Sequence, residues 1–178
     1  MRILGAIIAG GGSRRFNGDK AAALLDGRAL IDHVFDALSP QVDAVVVCGR
    51  HWPGLVNVVD RPAPDMGPLG GLCGALRYAT DNGYDAVLTA GCDTLPVPDL
   101  RALVGPVAAV IDGQRLFGYW AVDMLAQLDW HLATRDNRSI RHWIVECGAR
   151  SVASSVVFHN LNTREEFASY RAHEGPNP

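Results

Sequence analysis

A glycine-rich loop near the N-terminus carries the residue types that bind phosphate. It begins at Gly10 and Gly11, directly after the apolar run at residues 3–9, and it also contains Arg15 and Lys20. Glycines let several backbone N–H groups approach an anion, and basic side chains neutralise its charge. The pattern predicts a cradle for a triphosphate, and the alternative is a glycine turn with solvated arginines. It matches neither GxxxxGK[ST] nor GxGxxG, which argues against P-loop hydrolysis and dinucleotide redox chemistry.

Two aspartates follow predicted strands and are candidate ligand contacts. Asp93 comes shortly after the apolar run at residues 85–90, and Asp60 follows the run at residues 55–59. A carboxylate at the carboxyl end of a parallel strand faces the ligand crevice, and Mg²⁺ prefers hard oxygen ligands. We therefore expect Asp93 to hold Mg²⁺, and the same argument applies to Asp60. The alternatives are an Asx turn at Asp93 and a solvated loop carboxylate at Asp60.

A third candidate segment, Gly67-Pro68-Leu69-Gly70-Gly71, precedes a run with helical apolar spacing. A rigid proline and small residues would bring a helix N-terminus close to a ligand. We therefore expect Gly67 and Gly71 to contact substrate. The alternative is helix initiation and tight packing.

The elements that must position these residues alternate between strand and helix. Strands are predicted at residues 3–9, 42–48, 55–59, 85–90, 107–111, 117–122 and 156–158. Helices are predicted at residues 30–38, 69–79, 98–104, 124–132 and 139–147, with a last helix capped by Thr163 and Glu166 in the T-x-x-E arrangement. The alternation predicts a three-layer, Rossmann-like α/β fold with a mostly parallel sheet and a crevice at the strands' carboxyl ends. We expect one domain over residues 1–178, with residues 172–178 as a frayed tail.

Composition narrows the classes of function. Sixteen Lys and Arg residues against nineteen Asp and Glu give a net charge of −3, so no overall field favours nucleic acid. The four cysteines lack metal-binding spacing, and we expect buried thiols in a reducing compartment. No apolar stretch is long enough to span a membrane and no signal peptide is evident. We expect a cytoplasmic protein that binds neither nucleic acid nor membrane.

The motifs taken together resemble the molybdenum cofactor guanylyltransferases. They are the segment from Ile8 to Lys20, then Asp60 with Gly67-Pro68-Leu69, Cys92-Asp93-Thr94 and Asn160-Leu161-Asn162-Thr163. The family's opening motif is LAGGxSxRMGxDK. In this chain Ile8 replaces its Leu, Phe16 replaces its Met, and Asn17 replaces the Gly that follows that Met. The motifs occur in order across almost the whole chain.

This resemblance implies a nucleotidyltransferase fold that binds GTP with Mg²⁺. It implies transfer of GMP to the terminal phosphate of molybdenum-bound molybdopterin, release of pyrophosphate, and contact with proteins that handle molybdopterin. By matching position, the resemblance implies that Ile8, Ala9 and Gly10 bind the nucleotide and that Lys20 binds its phosphates. It implies that Asp60 contacts the guanosine and that Asp93 binds both metal and nucleotide. Asn160 and Asn162 would contact the pterin. A family Asn that contacts the nucleotide just after the second strand falls near Cys48 here.

Two other functions stay open on the residues alone. One is a nucleotidyltransferase with another substrate, such as a cytidylyltransferase or a sugar-phosphate activating enzyme. Related cytidylyltransferases tend to have Ala-Ala-Gly where this chain has Ala9-Gly10-Gly11, and a larger base suits the smaller side chain. The other is a nucleotide-binding regulator without catalysis, against which Lys20 and Asp93 argue.

Overall fold

The fold is described from a computed structural model for residues 1–10, 22–161 and 163–174. The strands are β1 (Ile3–Ile8), β2 (Leu24–Leu25), β3 (Arg28–Ala29), β4 (Ala44–Cys48), β5 (Val56–Val58), β6 (Ala86–Gly91), β7 (Thr94–Leu95), β8 (Ala109–Ile111), β9 (Gln114–Ala121), β10 (Arg150–Val152) and β11 (His159–Asn160). The helices are α1 (Leu30–Leu38), α2 (Gly67–Asp81), α3 (Leu125–Thr134), α4 (Ile140–Glu146) and α5 (Arg164–Glu174), with 3-10 turns at Ser39–Gln41, Leu100–Leu103 and Val122–Met124.

Seven strands form the main sheet, in the order β10-β8-β9-β6-β1-β4-β5. The strands β6, β1, β4 and β5 are parallel, as are β8 and β10, whereas β9 runs antiparallel to both of its neighbours. All six residues of β1 are buried, as expected for a parallel strand covered on both faces. The two-stranded pairs β7/β11 and β2/β3 lie outside this sheet.

Helices cover both faces of the sheet and build two apolar clusters. On one face, Leu30 of α1 belongs to a buried cluster with Ile7 of β1. On the other face, Leu76 of α2 and Leu128 of α3 are buried in a cluster with Leu4 of β1. Successive residues of a strand point to opposite faces, so β1 contributes to both clusters. The predicted three-layer α/β fold with a mostly parallel sheet is confirmed.

Three strands in the C-terminal half differ from the sequence prediction, and one of them, β10, was not predicted. The predicted strand at residues 156–158 is wrong: the strand is β11, and Val157 remains 73% exposed. Apolar residues do not form a strand without a partner, and the ladder partner β7 lies opposite His159 and Asn160 instead. The strand β9 begins at Gln114 because Gly113, at φ +74°, completes a two-residue turn after β8. That hairpin explains why β9 is antiparallel.

The last helix begins with the predicted cap. The backbone N–H of Glu166 donates to Oγ1 of Thr163 at 3.1 Å, and the backbone N–H of Thr163 donates to Oε2 of Glu166 at 2.8 Å. These reciprocal bonds satisfy N–H groups that a helix start leaves unpaired. The capping box is confirmed, and α5 continues through Glu174, which includes residues 172–174 of the expected tail.

All four cysteines are free thiols. Cys48 and Cys73 are buried as expected, but Cys92 and Cys147 are only half-buried, so the prediction of four buried thiols was wrong for these two. Cys92 follows the end of β6 and Cys147 the end of α4, where the chain leaves the packed layers. None of the helices described is both long and apolar enough to cross a membrane.

Candidate active site

The candidate site lies at the carboxyl ends of the central parallel strands. Ile8, the last residue of β1, pairs with Gly91 of β6 on one side and with Cys48 of β4 on the other. The ladder continues for one more step, because the N–H of Ala9 donates to the Cys48 carbonyl at 3.0 Å and the N–H of Cys92 donates to the Ile8 carbonyl at 3.2 Å. Gly10 and Asp93 therefore leave the sheet at the same edge, from neighbouring strands.

Asp60 joins this edge through a close approach of two glycines. A Cβ atom added to Gly10 would lie 3.5 Å from Oδ2 and 3.6 Å from Oδ1 of Asp60. A Cβ atom added to Gly49 would lie only 2.5 Å from the Gly10 Cα atom and 3.1 Å from Oδ1 of Asp60. Gly49 also has a φ of +80°, which L residues with side chains rarely adopt. The backbones after β1 and β4 thus meet beside the Asp60 carboxylate.

Gly49 is a site residue that the sequence analysis missed. Its signal was present, since it directly follows the predicted strand at residues 42–48. A glycine after a strand has many explanations, however, and the need for one here depends on Gly10, a distant residue in the sequence.

Replacing Gly49 with alanine should disrupt this approach. We expect Gly49→Ala to lower the free energy of unfolding by about 2 kcal/mol, because left-handed backbone costs about 1–2 kcal/mol for a residue with Cβ and the Gly10 backbone must also shift. Nucleotide affinity should fall as well. Gly54→Ala is the control, since Gly54 has the same φ of +80° with no atom within 4 Å of its added Cβ. Denaturant unfolding and calorimetric GTP titration of both variants test this, and equal effects would contradict the contact.

The carboxylate of Asp60 is held in an unusual environment. The residue is 6% exposed, and its Oδ1 atom is buried with no hydrogen-bond partner among the described residues. Burial raises the pKa of Asp60 above its ordinary value, and the charge of Asp65 raises it further, while the backbone N–H of Met66 acts in the opposite direction. A buried acceptor without a donor is costly, and a ligand that brings N–H groups would relieve that cost.

The raised pKa of Asp60 predicts a pH-dependent gain in stability for Asp60→Asn. A group whose folded pKa is raised favours folding at pH values below its unfolded pKa, and that contribution is lost as the pH rises through the folded pKa. Ionised Asp60 therefore destabilises the folded chain at neutral pH. We expect Asp60→Asn to raise the unfolding temperature by a few degrees at pH 7 and to lose this advantage toward pH 4.

Thermal unfolding between pH 4 and 7.5 measures this effect. The control is Asp65→Asn, which removes the same charge from an exposed residue nearby and should change the unfolding temperature far less. An Asp60→Asn protein that is less stable than the wild type at pH 7 would contradict the assignment.

Asp93 follows β6, and Gly91 and Thr94 lie beside its carboxylate. A Cβ atom added to Gly91 would lie 3.1 Å from Oδ1 of Asp93, so glycine leaves room for the carboxylate there. The hydroxyl of Thr94 lies 3.2 Å from the same oxygen. Among the described residues, no three His, Cys, Asp or Glu side chains are grouped to hold a metal ion. A lone carboxylate fits Mg²⁺ that arrives with a nucleotide, because Mg²⁺ takes one or two carboxylates together with substrate phosphates and water.

The remaining predicted residues lie in different surroundings. Gly67 begins α2 with a φ of +69° and has open space around it. Gly71 is buried, and its added Cβ would contact Cys48 at 3.3 Å and Ile8 at 3.4 Å, which is the packing expected of the alternative interpretation. The residues outside the described part of the chain are Gly11, Arg15, Lys20 and Asn162.

Asn160 lies on the β6 side of the site. It pairs with Thr94 across β7 and β11, and its side chain contacts the Thr94 hydroxyl at 2.8 Å. It also lines an open pocket of about 250 Å³ with Phe158, His159, Glu166 and Ser169. Asp93 and Asn160, two predicted contacts for different substrates, are therefore joined through one side chain.

Glycines or aspartates follow four neighbouring strands of the sheet, β5, β4, β1 and β6, and this arrangement is typical of α/β proteins that bind a ligand at the carboxyl ends of parallel strands. The fold agrees with that of a crystal structure of molybdopterin-guanine dinucleotide biosynthesis protein A from Archaeoglobus fulgidus, which superposes with a TM-score of 0.75 at 19% identity over 96% of this chain and 97% of that chain.

Sequence relatives place the chain more narrowly. The MobA-like NTP transferase domain family matches residues 5–147. A molybdenum cofactor guanylyltransferase from Cereibacter sphaeroides is 35% identical, over 94% of this chain and 95% of the relative. Another from Rhodobacter capsulatus is 33% identical over 94% of each chain. The chain belongs to the MobA-like NTP transferase family, as its motifs predicted.

Proposed function

We propose that this chain transfers GMP from GTP to the terminal phosphate of molybdenum-bound molybdopterin, releasing pyrophosphate. The support for this substrate pair is the name shared by its relatives, molybdenum cofactor guanylyltransferase, and the motifs it has in common with that family. The single structural observation that carries it is that Asp60 lies beside Gly10 and that Asp93 leaves the sheet at the same edge, after the neighbouring strand β6. We propose that one domain carries the whole reaction.

Asp60 is the residue that we assign to the base. The Watson–Crick edge of guanine presents two donors, N1–H and the 2-amino group, and a carboxylate accepts both. The buried, unpartnered Oδ1 of Asp60 would gain a donor in this way. Gly10 matters here because any side chain at that position would begin about 3.5 Å from the Asp60 carboxylate, which would narrow the space for a purine.

The chemical step requires no protein nucleophile. A terminal phosphate oxygen of the acceptor attacks the α-phosphorus of GTP in line, the bond to the β-phosphate oxygen breaks, and pyrophosphate leaves. Asp93 would hold Mg²⁺ against the phosphates, and the bound ion would supply charge neutralisation. Arg15 and Lys20 would offset the negative charge that develops on the leaving pyrophosphate. Orienting the two substrates supplies much of the remaining rate enhancement.

The acceptor would lie on the side of Asn160 and Asn162. Asn160 is exposed beside Thr94 and lines the open pocket next to β11, and amide groups can both donate to and accept from a pterin. Gly67, whose surroundings are open, completes the proposed substrate contacts, whereas Gly71 is buried against Cys48 and Ile8 and is assigned to packing. The four cysteines form no disulfide, which suits a reducing compartment. We propose the cytoplasm as the place of reaction, with delivery of the acceptor by proteins that handle molybdopterin.

The test combines the purified chain with Mg²⁺, molybdenum-loaded molybdopterin and GTP, CTP or UTP in parallel. Pyrophosphate release and the mass of the dinucleotide product are measured. We expect release with GTP and a product heavier by one GMP. A clear preference for CTP would support the cytidylyltransferase alternative, and GTP binding without pyrophosphate release would support the regulator.

A further inference from the structure

The side chain of Thr94 lies between a residue at the metal position and a residue at the acceptor position. Thr94 is 5% exposed, and its Oγ1 atom lies 3.2 Å from Oδ1 of Asp93 and 2.8 Å from Oδ1 of Asn160. The backbone supports the same connection, because the N–H of Leu161 donates to the carbonyl of Asp93 at 2.8 Å. The short strand β11 is thus attached to the Asp93-Thr94 segment by both backbone and side chain.

The hydroxyl has a single proton, so it cannot donate to both oxygens. An ionised carboxylate has no proton to offer, and hydrogen bonds to charged acceptors are about twice as strong as neutral ones. The amide oxygen and nitrogen of Asn160 exchange places by rotation about one bond with almost no change in shape. With the nitrogen turned inward, Asn160 donates to Oγ1 of Thr94, and Thr94 donates to Asp93. Each of these two hydrogen bonds, Asn160 to Thr94 and Thr94 to Asp93, then has one donor and one acceptor.

We propose that Thr94 is a positioning residue, which fixes the Asp93 carboxylate for the metal and couples it to the acceptor side through Asn160. This inference rests on the proposed function, in which Asp93 holds Mg²⁺ and Asn160 contacts the pterin. The absence of a side chain at Gly91 leaves space for Oδ1 of Asp93, and the hydrogen bond from Thr94 fixes that oxygen there. Binding of the acceptor at Asn160 would then change the position of the Asp93 carboxylate, and with it the affinity for the metal, without direct contact between acceptor and metal.

A matched pair of substitutions separates this role from simple packing. Thr94→Val keeps the shape of the side chain and removes the hydroxyl, whereas Thr94→Ser keeps the hydroxyl and removes a methyl group. The control is Thr89→Val in β6, since Thr89 is also buried and its hydroxyl accepts from the Trp120 indole N–H at 3.0 Å. That control loses a buried hydroxyl that contacts Gly118 and Trp120 instead of Asp93, and it should affect stability alone.

The main readout is the effect of Mg²⁺ on nucleotide affinity. Calorimetry measures binding of a GTP analogue with a non-cleavable bridge between the α- and β-phosphates, with and without Mg²⁺. We expect the tightening by Mg²⁺ to fall about tenfold in Thr94→Val, the effect of one lost hydrogen bond to a charged group. It should stay within about threefold of wild type in Thr94→Ser and in Thr89→Val. Full tightening in Thr94→Val, or equal losses in the Val and Ser variants, would overturn the proposal.

A second measurement tests the link to Asn160. The Mg²⁺ concentration that gives half-maximal transfer should rise about threefold to tenfold in Asn160→Ala, but no further when Asn160→Ala is added to Thr94→Val. Independent, multiplying effects would overturn the coupling. Failure of the proposed function is recognised separately, because it would show in the wild-type chain: absence of transfer with GTP, or nucleotide binding that Mg²⁺ does not change, would overturn both proposals.

Discussion

Alanine in place of Asp93 is expected to lower kcat for GMP transfer by about 100- to 1,000-fold, the loss typical when one charge-stabilising contact in the transition state is removed. The carboxylate would be the protein's contribution to the Mg²⁺ site, since the described residues contain no cluster of three metal-binding side chains to replace it. The fold should survive, because Asp93 lies after the end of β6, outside the strand. Pyrophosphate release at saturating GTP and acceptor measures the loss.

A surface substitution provides the comparison for Asp93→Ala. Asp81 is exposed at the last position of α2, at the opposite end of that helix from Gly67, and Asp81→Ala should retain wild-type kcat. Circular dichroism and thermal unfolding should show both variants folded. Near-normal turnover by folded Asp93→Ala would remove Asp93 from the mechanism.

Asparagine in place of Asp60 is expected to weaken GTP binding by about 10- to 100-fold. A hydrogen bond to a charged group contributes about 1.5–3 kcal/mol, and Asn replaces one acceptor oxygen with an NH₂ group that faces a donor of the base. ITP, which lacks the 2-amino group, provides an internal test. The wild type should bind GTP at least tenfold more tightly than ITP, and Asp60→Asn should reduce that ratio.

Asp65→Asn again serves as the matched comparison, because it removes the same charge from the same loop. Calorimetric titration of both nucleotides into both variants separates base recognition from general electrostatics. Equal weakening of GTP and ITP in Asp60→Asn would show that Asp60 contacts another part of the nucleotide. Because Asp60→Asn should be more stable than the wild type at pH 7, weak binding by this variant cannot be attributed to unfolding.

Local patterns were sufficient to predict the layers of the fold and the positions of Asp60 and Asp93 after the ends of parallel strands. The run before Gly10 is apolar throughout because β1 is buried on both faces, and that property is visible in the sequence itself. Asp60 and Asp93 could be found because each follows a recognisable strand, and carboxyl ends of parallel strands share one edge. These inferences need only short segments and the rule for parallel connections.

The parts that escaped prediction depend on contacts between distant segments. The need for glycine at position 49 is apparent only from its contact with Gly10. The role of Thr94 is apparent only from its contact with Asn160, which is 66 residues away. The position of β11 depends on its ladder with β7, so the apolar residues at 156–158 gave a wrong strand. The direction of β9 depends on the short turn at Gly113, which was a local signal present in the sequence.

The contact between Gly10 and Gly49 also makes the candidate site sensitive to how the sheet is assembled. Neither residue has a side chain at the point where Gly10 and Gly49 approach each other. If β4 slipped by one residue along β1, the side chain of Cys48 or Ala9 would lie at that point and would force the two backbones apart. If GTP binds here as proposed, it would bind only molecules whose strands are correctly aligned, and a ligand that binds only the native state raises its apparent stability.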